Sequence, residues 1–416
     1  MKQKILFYLI TLLAYLPQYA LHAQHTHTII TGLPQDSVRF SLLTCDAGEE
    51  IYTLFGHTAI RYENLNKGID VVFNYGMFSF QVPHFALRFA LGETDYQLGL
   101  TDFRRFAAEY QWNGRKVWQQ TLNLTDPEKK RLWTALTENY LPQNRVYRYN
   151  FFYDNCATRP RDQIEHCVEG KISYQEQTDS THIADKLTWR DLLHHYTAEH
   201  PWSRFGIDLC IGSAADRTIS LRERMFIPFY VQEYFKRASI LSNEGESRKL
   251  VSEEKLVVKA NLPKVTASYL PTPLQTSLLF FMLVAYVSIF GLKHRYSLWG
   301  LDTVLFATAG VIGCIITFLV LFSTHPAVSP NWLLWIFHPF HLLCLPVALL
   351  QVKRKRISRY MAINTFVLTL FILLFAAIPQ FIPPAVVPLA LCLLIRSACN
   401  LILSRKTAKK NKLKAY

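Results

Sequence analysis

Acid is what the C-terminal part of this chain lacks. Beyond Glu254 the only carboxylate side chain is Asp302, although the 416 residues carry 31 Asp and Glu against 45 Lys and Arg. The resulting net charge of +14 raises nucleic acid as a partner. However, no nucleic-acid module is evident, and the excess basic residues sit at the ends of apolar segments, where the positive-inside rule puts them. The N-terminal part has no clear cluster of metal ligands, so neither a metal nor another cofactor is expected. Half of the chain is apolar and 14% is aromatic, and its length is enough for two domains.

Five apolar segments near the length of a bilayer-spanning helix follow the linker, at about 275–292, 300–322, 331–352, 358–378 and 381–403. The loops between them alternate in charge. Lys293-His294-Arg295 and Lys353-Arg354-Lys355-Arg356 are basic, whereas Ser323–Pro330 and Pro379–Pro384 are uncharged apart from His325. This pattern predicts a five-helix transmembrane domain over 274–404, a basic cytoplasmic tail over 405–416, and the preceding domain outside the cytoplasm. Residues 1–23 agree independently. Lys2 and Lys4, an apolar run from Ile5 to about Leu16, and Ala20-Leu21-His22-Ala23 have the layout of a secretory signal with cleavage after Ala23. Leu21 is large for its place in that signal, which leaves an uncleaved anchor as the alternative.

Residues 24–240 read as a mixed α+β domain, and 241–273 as a linker. Strands are expected at Val38–Thr44, Thr58–Tyr62 and Ile69–Tyr75, and a helix at Asp126 to about Tyr140, started by Thr125-Asp126-Pro127-Glu128. A second helix is expected from Asp154 through about Val168. The aromatic and basic segment Arg222–Arg237 fits either a helix lying on the bilayer or one that closes the domain.

Two short motifs carry chemistry. Cys156 stands at the start of a polar helix behind Tyr153-Asp154-Asn155, where a helix N-terminus and a nearby imidazole favour the thiolate. His57 enters the strand Gly-His-Thr-Ala-Ile-Arg-Tyr, and the two make a nucleophile and base if they meet in space. Pairing Tyr62 with Ile69 across the loop 63–68 places Asn74 opposite His57, where it would orient the imidazole. Asp70 is the alternative if the register differs. If Cys156 stays free in an oxidising compartment, at most one disulfide forms among Cys45, Cys167 and Cys210.

With Phe55-Gly56-His57-Thr58-Ala59 ahead of Asn74-Tyr75-Gly76 and of Tyr153-Asp154-Asn155-Cys156-Ala157-Thr158-Arg159, the domain resembles the circularly permuted papain-like (NlpC-type) fold, whose histidine precedes its cysteine. Together with Ser41-Leu42-Leu43-Thr44-Cys45 and Gly206-Ile207-Asp208-Leu209, these segments resemble the Lnb family of bacterial lipoprotein N-acyltransferases. The resemblance implies acyl transfer at the outer face of the inner membrane. Cys156, deprotonated by His57, would take an acyl chain from a phospholipid as a thioester and pass it to the α-amine of a diacylglyceryl-cysteine lipoprotein. The Cys156 amide and the Asn155 side chain are then candidates for stabilising the oxyanion, and Arg159 and Arg161 for meeting a phosphate head group, although two arginines on a helix are more often simply solvated. His325 and Asn331, at the outer end of the third span, are further candidates for substrate contact. His338 and His341, deeper and one helical turn apart, read as interhelical hydrogen-bonding groups. A cell-wall peptidase or amidase and a non-catalytic membrane-anchored binding module are the competing readings.

Overall fold

The computed structural model describes residues 38–175, 186–242, 244–260 and 270–414, so the signal-peptide reading of 1–23 lies outside it. The domain beyond residue 38 is built on a seven-stranded antiparallel sheet. Its strands are β1 (Val38–Cys45), β2 (His57–Asn64), β3 (Ile69–Met77), β4 (Asp95–Asp102), β5 (Val117–Leu122), β6 (Val146–Arg148) and β10 (Val251–Val258), in spatial order β10-β5-β1-β2-β3-β4-β6. Three short strands, β7 (Lys171–Ser173), β8 (Ser239–Leu241) and β9 (Ser247–Lys249), form a second sheet.

The main sheet is apolar on both faces because helices cover both. Phe40, Leu42, Ile60, Tyr62 and Phe73 point to one side, against Leu132 and Leu136 of the helix Asp126–Tyr140, Ile164 of Thr158–Cys167, and Val231 and Phe235 of Pro228–Arg237. Their neighbours Leu43, Ala59 and Val72 point to the other side, against Phe106 and Tyr110 of Phe103–Trp112. The alternation follows from the two-residue period of a strand. The segment Arg222–Arg237 is therefore the domain-closing alternative, with Phe235 fully buried on the sheet.

Two expectations change here. Residues read as linker supply the last residue of β8 and all of β9 and β10, and β10 pairs with β5 as the edge of the main sheet. Among the described residues, only three helices are long and apolar enough to cross a bilayer: Pro273–Lys293, Trp299–Phe322 and the apolar part of Val386–Lys414. The expected third span is broken into Trp332–Leu343 and Leu345–Lys353, bent by 75°. Pro339 precedes the short helix Phe340–Leu343, and Pro346 sits in the first turn of Leu345–Lys353, where proline is tolerated. The expected fourth is the 15-residue helix Arg359–Leu373. At 1.5 Å per residue it covers roughly 22 Å, short of a hydrocarbon core of about 30 Å.

Asp302, the lone late carboxylate, is fully buried among these helices. Its oxygens accept from Arg396 at 2.7 and 3.1 Å and from Asn400 at 3.0 Å, and Arg396 also donates to Ser288. One ion pair thus ties Trp299–Phe322 to Val386–Lys414. Deeper in the broken segment, the His338 and His341 rings stack at 3.9 Å, and His341 bonds both the Ile336 carbonyl and the Tyr360 hydroxyl of the next helix.

Candidate active site

The hairpin β2–β3 sets the geometry. Its loop is short: the Leu65–Lys67 turn is capped by the Asn64 side chain, which accepts from the Lys67 amide at 3.1 Å, and closed by Gly68 at φ +63°. Asn64 therefore pairs with Ile69, and Tyr62 with Val71, two positions away from the expected register. Carried on past the last pair, Ile60 with Phe73, this register sets Gly76 opposite His57 and makes Asn74 its diagonal neighbour. A shift of two keeps every side chain on its face, whereas a shift of one would reverse them. Asn74 still reaches His57, with Nε2 and Oδ1 2.6 Å apart. An amide oxygen only accepts, so Nε2 carries the proton and Nδ1 is left with its lone pair. Asp70, the alternative partner, is held by Arg61 through two bonds of 2.8 and 2.7 Å.

Gly76, with φ +88°, lets the cysteine approach. A Cβ placed on it would stand 3.2 Å from the Cys156 Cβ and 3.9 Å from His57 Cε1. The nucleophile candidate and the imidazole thus flank the same bare backbone. Cys156 lies two residues ahead of the helix Thr158–Cys167. Its position is fixed by Asn155, whose Oδ1 accepts from the amides of Ala157 and Thr158, while Nδ2 donates to the carbonyls of Phe151 and Phe226 at 2.7 and 2.8 Å. Both amide hydrogens are engaged, so Asn155 has no donor left for a reacting oxygen. It caps the helix instead of stabilising an oxyanion.

Burial dominates the electrostatics. It pulls the His57 pKa down to about 4, an effect that the Asn74 bond opposes and the Arg115 charge reinforces. It pushes the Cys156 thiol up to about 11, against the backbone N–H groups of Thr58 and Cys156 and the charge of Arg115. The resting pair is therefore neutral thiol and neutral imidazole, and the helix N-terminus does not outweigh desolvation. Burial raises Tyr96, Tyr147 and Tyr149, and a thiolate at Cys156 would raise them further, so the sulfur has neutral phenols in its neighbourhood. Arg115, whose Nε donates to the Asp46 carbonyl at 2.8 Å, is the cation that acts on both His57 and Cys156. Nothing in the local sequence marked it, since it reaches the site from the turn before β5.

The remaining candidates have other partners. Arg159 clamps Asp154 at 2.5 and 2.8 Å and lies 3.5 Å over the Tyr147 ring. Arg161 is buried and bonds Asp162 and the Arg222 carbonyl. Neither guanidinium is free to face a phosphate, because each braces the helix that begins behind Cys156. His325 and Asn331 hold the loop after Trp299–Phe322 against the N-terminal domain: His325 Nε2 donates to the Phe89 carbonyl at 2.8 Å, and Asn331 Nδ2 to the Leu209 carbonyl at 3.0 Å. Thr324 adds bonds to Leu91 and Gly92, and Gly212 and Ser213 donate to Ala327 and Pro330. These contacts fix the sheet domain on the membrane helices without reaching the sulfur. All eight cysteines are free thiols, so the possible disulfide among Cys45, Cys167 and Cys210 is not formed.

Two family models match the chain, the Lnb N-terminal periplasmic domain over residues 27–195 and the Lnb transmembrane domain over residues 265–408. No curated protein and no solved structure matches it. The chain belongs to the Lnb family, as an inner-membrane protein with an N-terminal periplasmic domain joined to a C-terminal transmembrane domain.

Proposed function

We propose that this protein is an apolipoprotein N-acyltransferase that works through a cysteine thioester at the periplasmic face of the inner membrane, with its C-terminus in the cytoplasm. One observation carries the reading: His57, bonded to Asn74 at 2.6 Å, and Cys156 both stand beside Gly76 in a domain bound directly to membrane helices. The histidine-first order and the helix-start cysteine support a circularly permuted papain-like fold for that domain. A lipid donor and a lipid-anchored acceptor both need the bilayer, which favours acyl transfer over hydrolysis of the cell wall.

In the first step, His57 Nδ1 takes the thiol proton as Cys156 Sγ attacks the ester carbonyl of a phospholipid. The tetrahedral oxyanion is met by the Cys156 amide. It collapses to a thioester and a lysophospholipid, which leaves with the proton from His57. In the second step, the α-amine of a diacylglyceryl-cysteine lipoprotein attacks the thioester and gives its proton to Nδ1. The C–S bond breaks, the thiol is reprotonated, and the lipoprotein leaves with an amide-linked third chain. Asn74 keeps the proton on Nε2 throughout.

The purified protein incubated with acyl-labelled phospholipid should form a hydroxylamine-sensitive adduct on Cys156 that is absent from Cys156→Ala. Release of peptide fragments from peptidoglycan with no such adduct would assign the site to a wall hydrolase instead.

A further inference from the structure

The segment that follows Gly76 has no ordinary explanation in the fold. From Met77 to Leu91 its only formally charged side chain is Arg88, which is tied to Asp95 and to the Glu93 carbonyl. Within it the helix Phe85–Leu91, with the sequence Phe-Ala-Leu-Arg-Phe-Ala-Leu, contains no buried residue at all. A helix this apolar normally buries one face. Here Phe80 is 61% exposed, Leu87 50% and Phe89 44%. Contiguous exposed apolar surface of this kind marks a binding site.

The two ends of the patch say what it binds. Phe78 stands two residues beyond Gly76, the residue touching Cys156, and its ring stacks 4.9 Å from Tyr96 in the wall around the sulfur. From Phe78 the rings continue to Phe85 at 5.7 Å and from Phe85 to Phe89 at 6.2 Å, with Phe80 alongside at 4.9 Å from Phe78. Phe89 meets the His325 ring at 5.8 Å, and its carbonyl takes the bond from His325. His325 lies three residues past the end of Trp299–Phe322, where Leu321 and Phe322 are again exposed. A strip of aromatic side chains thus leads from His325, just past the end of a membrane helix, to Phe78 and Tyr96, close to Gly76 and the nucleophile.

Resting on the acyltransferase reading, we infer that this strip is the track for one hydrocarbon chain of the membrane lipid donor. The chain leaves the bilayer beside Phe322, lies along the Phe85–Leu91 helix, and presents its ester carbonyl at Cys156. A strip that only anchored the domain in the bilayer would have no need to end at the sulfur. The track would also favour long-chain donors, because each further methylene finds apolar surface.

The test uses full-length protein in detergent without a bilayer and two phospholipid donors, one long-chain and one dibutyryl. The rate of adduct formation on Cys156 is read for each. Wild type should prefer the long chain. Phe80→Ser and Leu87→Ser, both at exposed positions, should lower the long-to-short rate ratio about tenfold, and Phe80→Leu should restore it. A ratio unchanged in the serine variants, or an equal fall with both donors, overturns the track while the acyltransferase reading stands. Such a result would leave the strip as a bilayer anchor or a protein-docking face. A wild type that forms no adduct with either donor overturns both.

Discussion

Gly76→Ala, compared with Gly68→Ala, separates backbone strain from the geometry of the site. Both glycines have left-handed backbone, φ +88° and +63°, so an added Cβ costs each about 1–2 kcal/mol. They differ in what that Cβ meets. At Gly68 nothing lies within 4 Å, whereas at Gly76 it stands 3.2 Å from the Cys156 Cβ and 3.9 Å from the His57 ring. A contact of 3.2 Å must open by a few tenths of an ångström, and Cys156 is held from behind by the four bonds of Asn155. The strain therefore falls on the spacing between sulfur and imidazole. Since a displacement near 1 Å can cost about a hundredfold in rate, a shift of a few tenths should cost on the order of tenfold. Both variants should thus unfold more easily in detergent by a similar margin, but only Gly76→Ala should form the acyl adduct about tenfold more slowly. Equal rates in the two variants would refute the claim that Cys156 and His57 act together beside Gly76.

Three further outcomes follow from the same contacts. Asp302→Ala leaves Arg396 buried without its counter-charge and should cost about 3–5 kcal/mol in a detergent unfolding titration, whereas replacing both partners by apolar residues should recover most of it. With His57 neutral down to about pH 4, the adduct rate should hold as the pH falls from 7 through 5 and drop only near 4, where the base becomes protonated. The sign for stability is the same: the unfolded chain takes up this proton first, so His57 costs the fold nothing above about 6.5. Its contribution then falls by about 3 kcal/mol as the pH drops through that window. Finally, a Cys156 thiol near 11 should be alkylated by iodoacetamide slowly at neutral pH and progressively faster up to that value, whereas a plateau already reached near pH 6 would indicate a thiolate–imidazolium pair.

How much was legible depended on how local the cause was. The start of the helix Asp126–Tyr140 was readable to the residue because Thr125, Pro127 and Glu128 form it within one turn. The partnership of His57 and Asn74 was readable because the face of a strand survives a two-residue shift. The register was not, since it depends on the Asn64 cap and the turn at Gly68. The strand β10 resembled a linker because an edge strand carries charged residues such as Glu253 and Lys255, which keep its outer side soluble. The far bonds of Asn155 and Arg161 were hidden for a different reason: the partners, Phe226 and Arg222, lie 71 and 61 residues away. Prolines at 339 and 346 hint at the broken span, but hydropathy alone averages across them.

The central claim is that Cys156 carries an acyl chain to a lipoprotein's α-amine. Mass spectrometry of a lipoprotein's N-terminal peptide, with this protein as the only transferase present, tests it most directly. A triacylated peptide is expected with the wild type, and a diacylated one with Cys156→Ala that is still found in the membrane. A triacylated peptide from the alanine variant would contradict it.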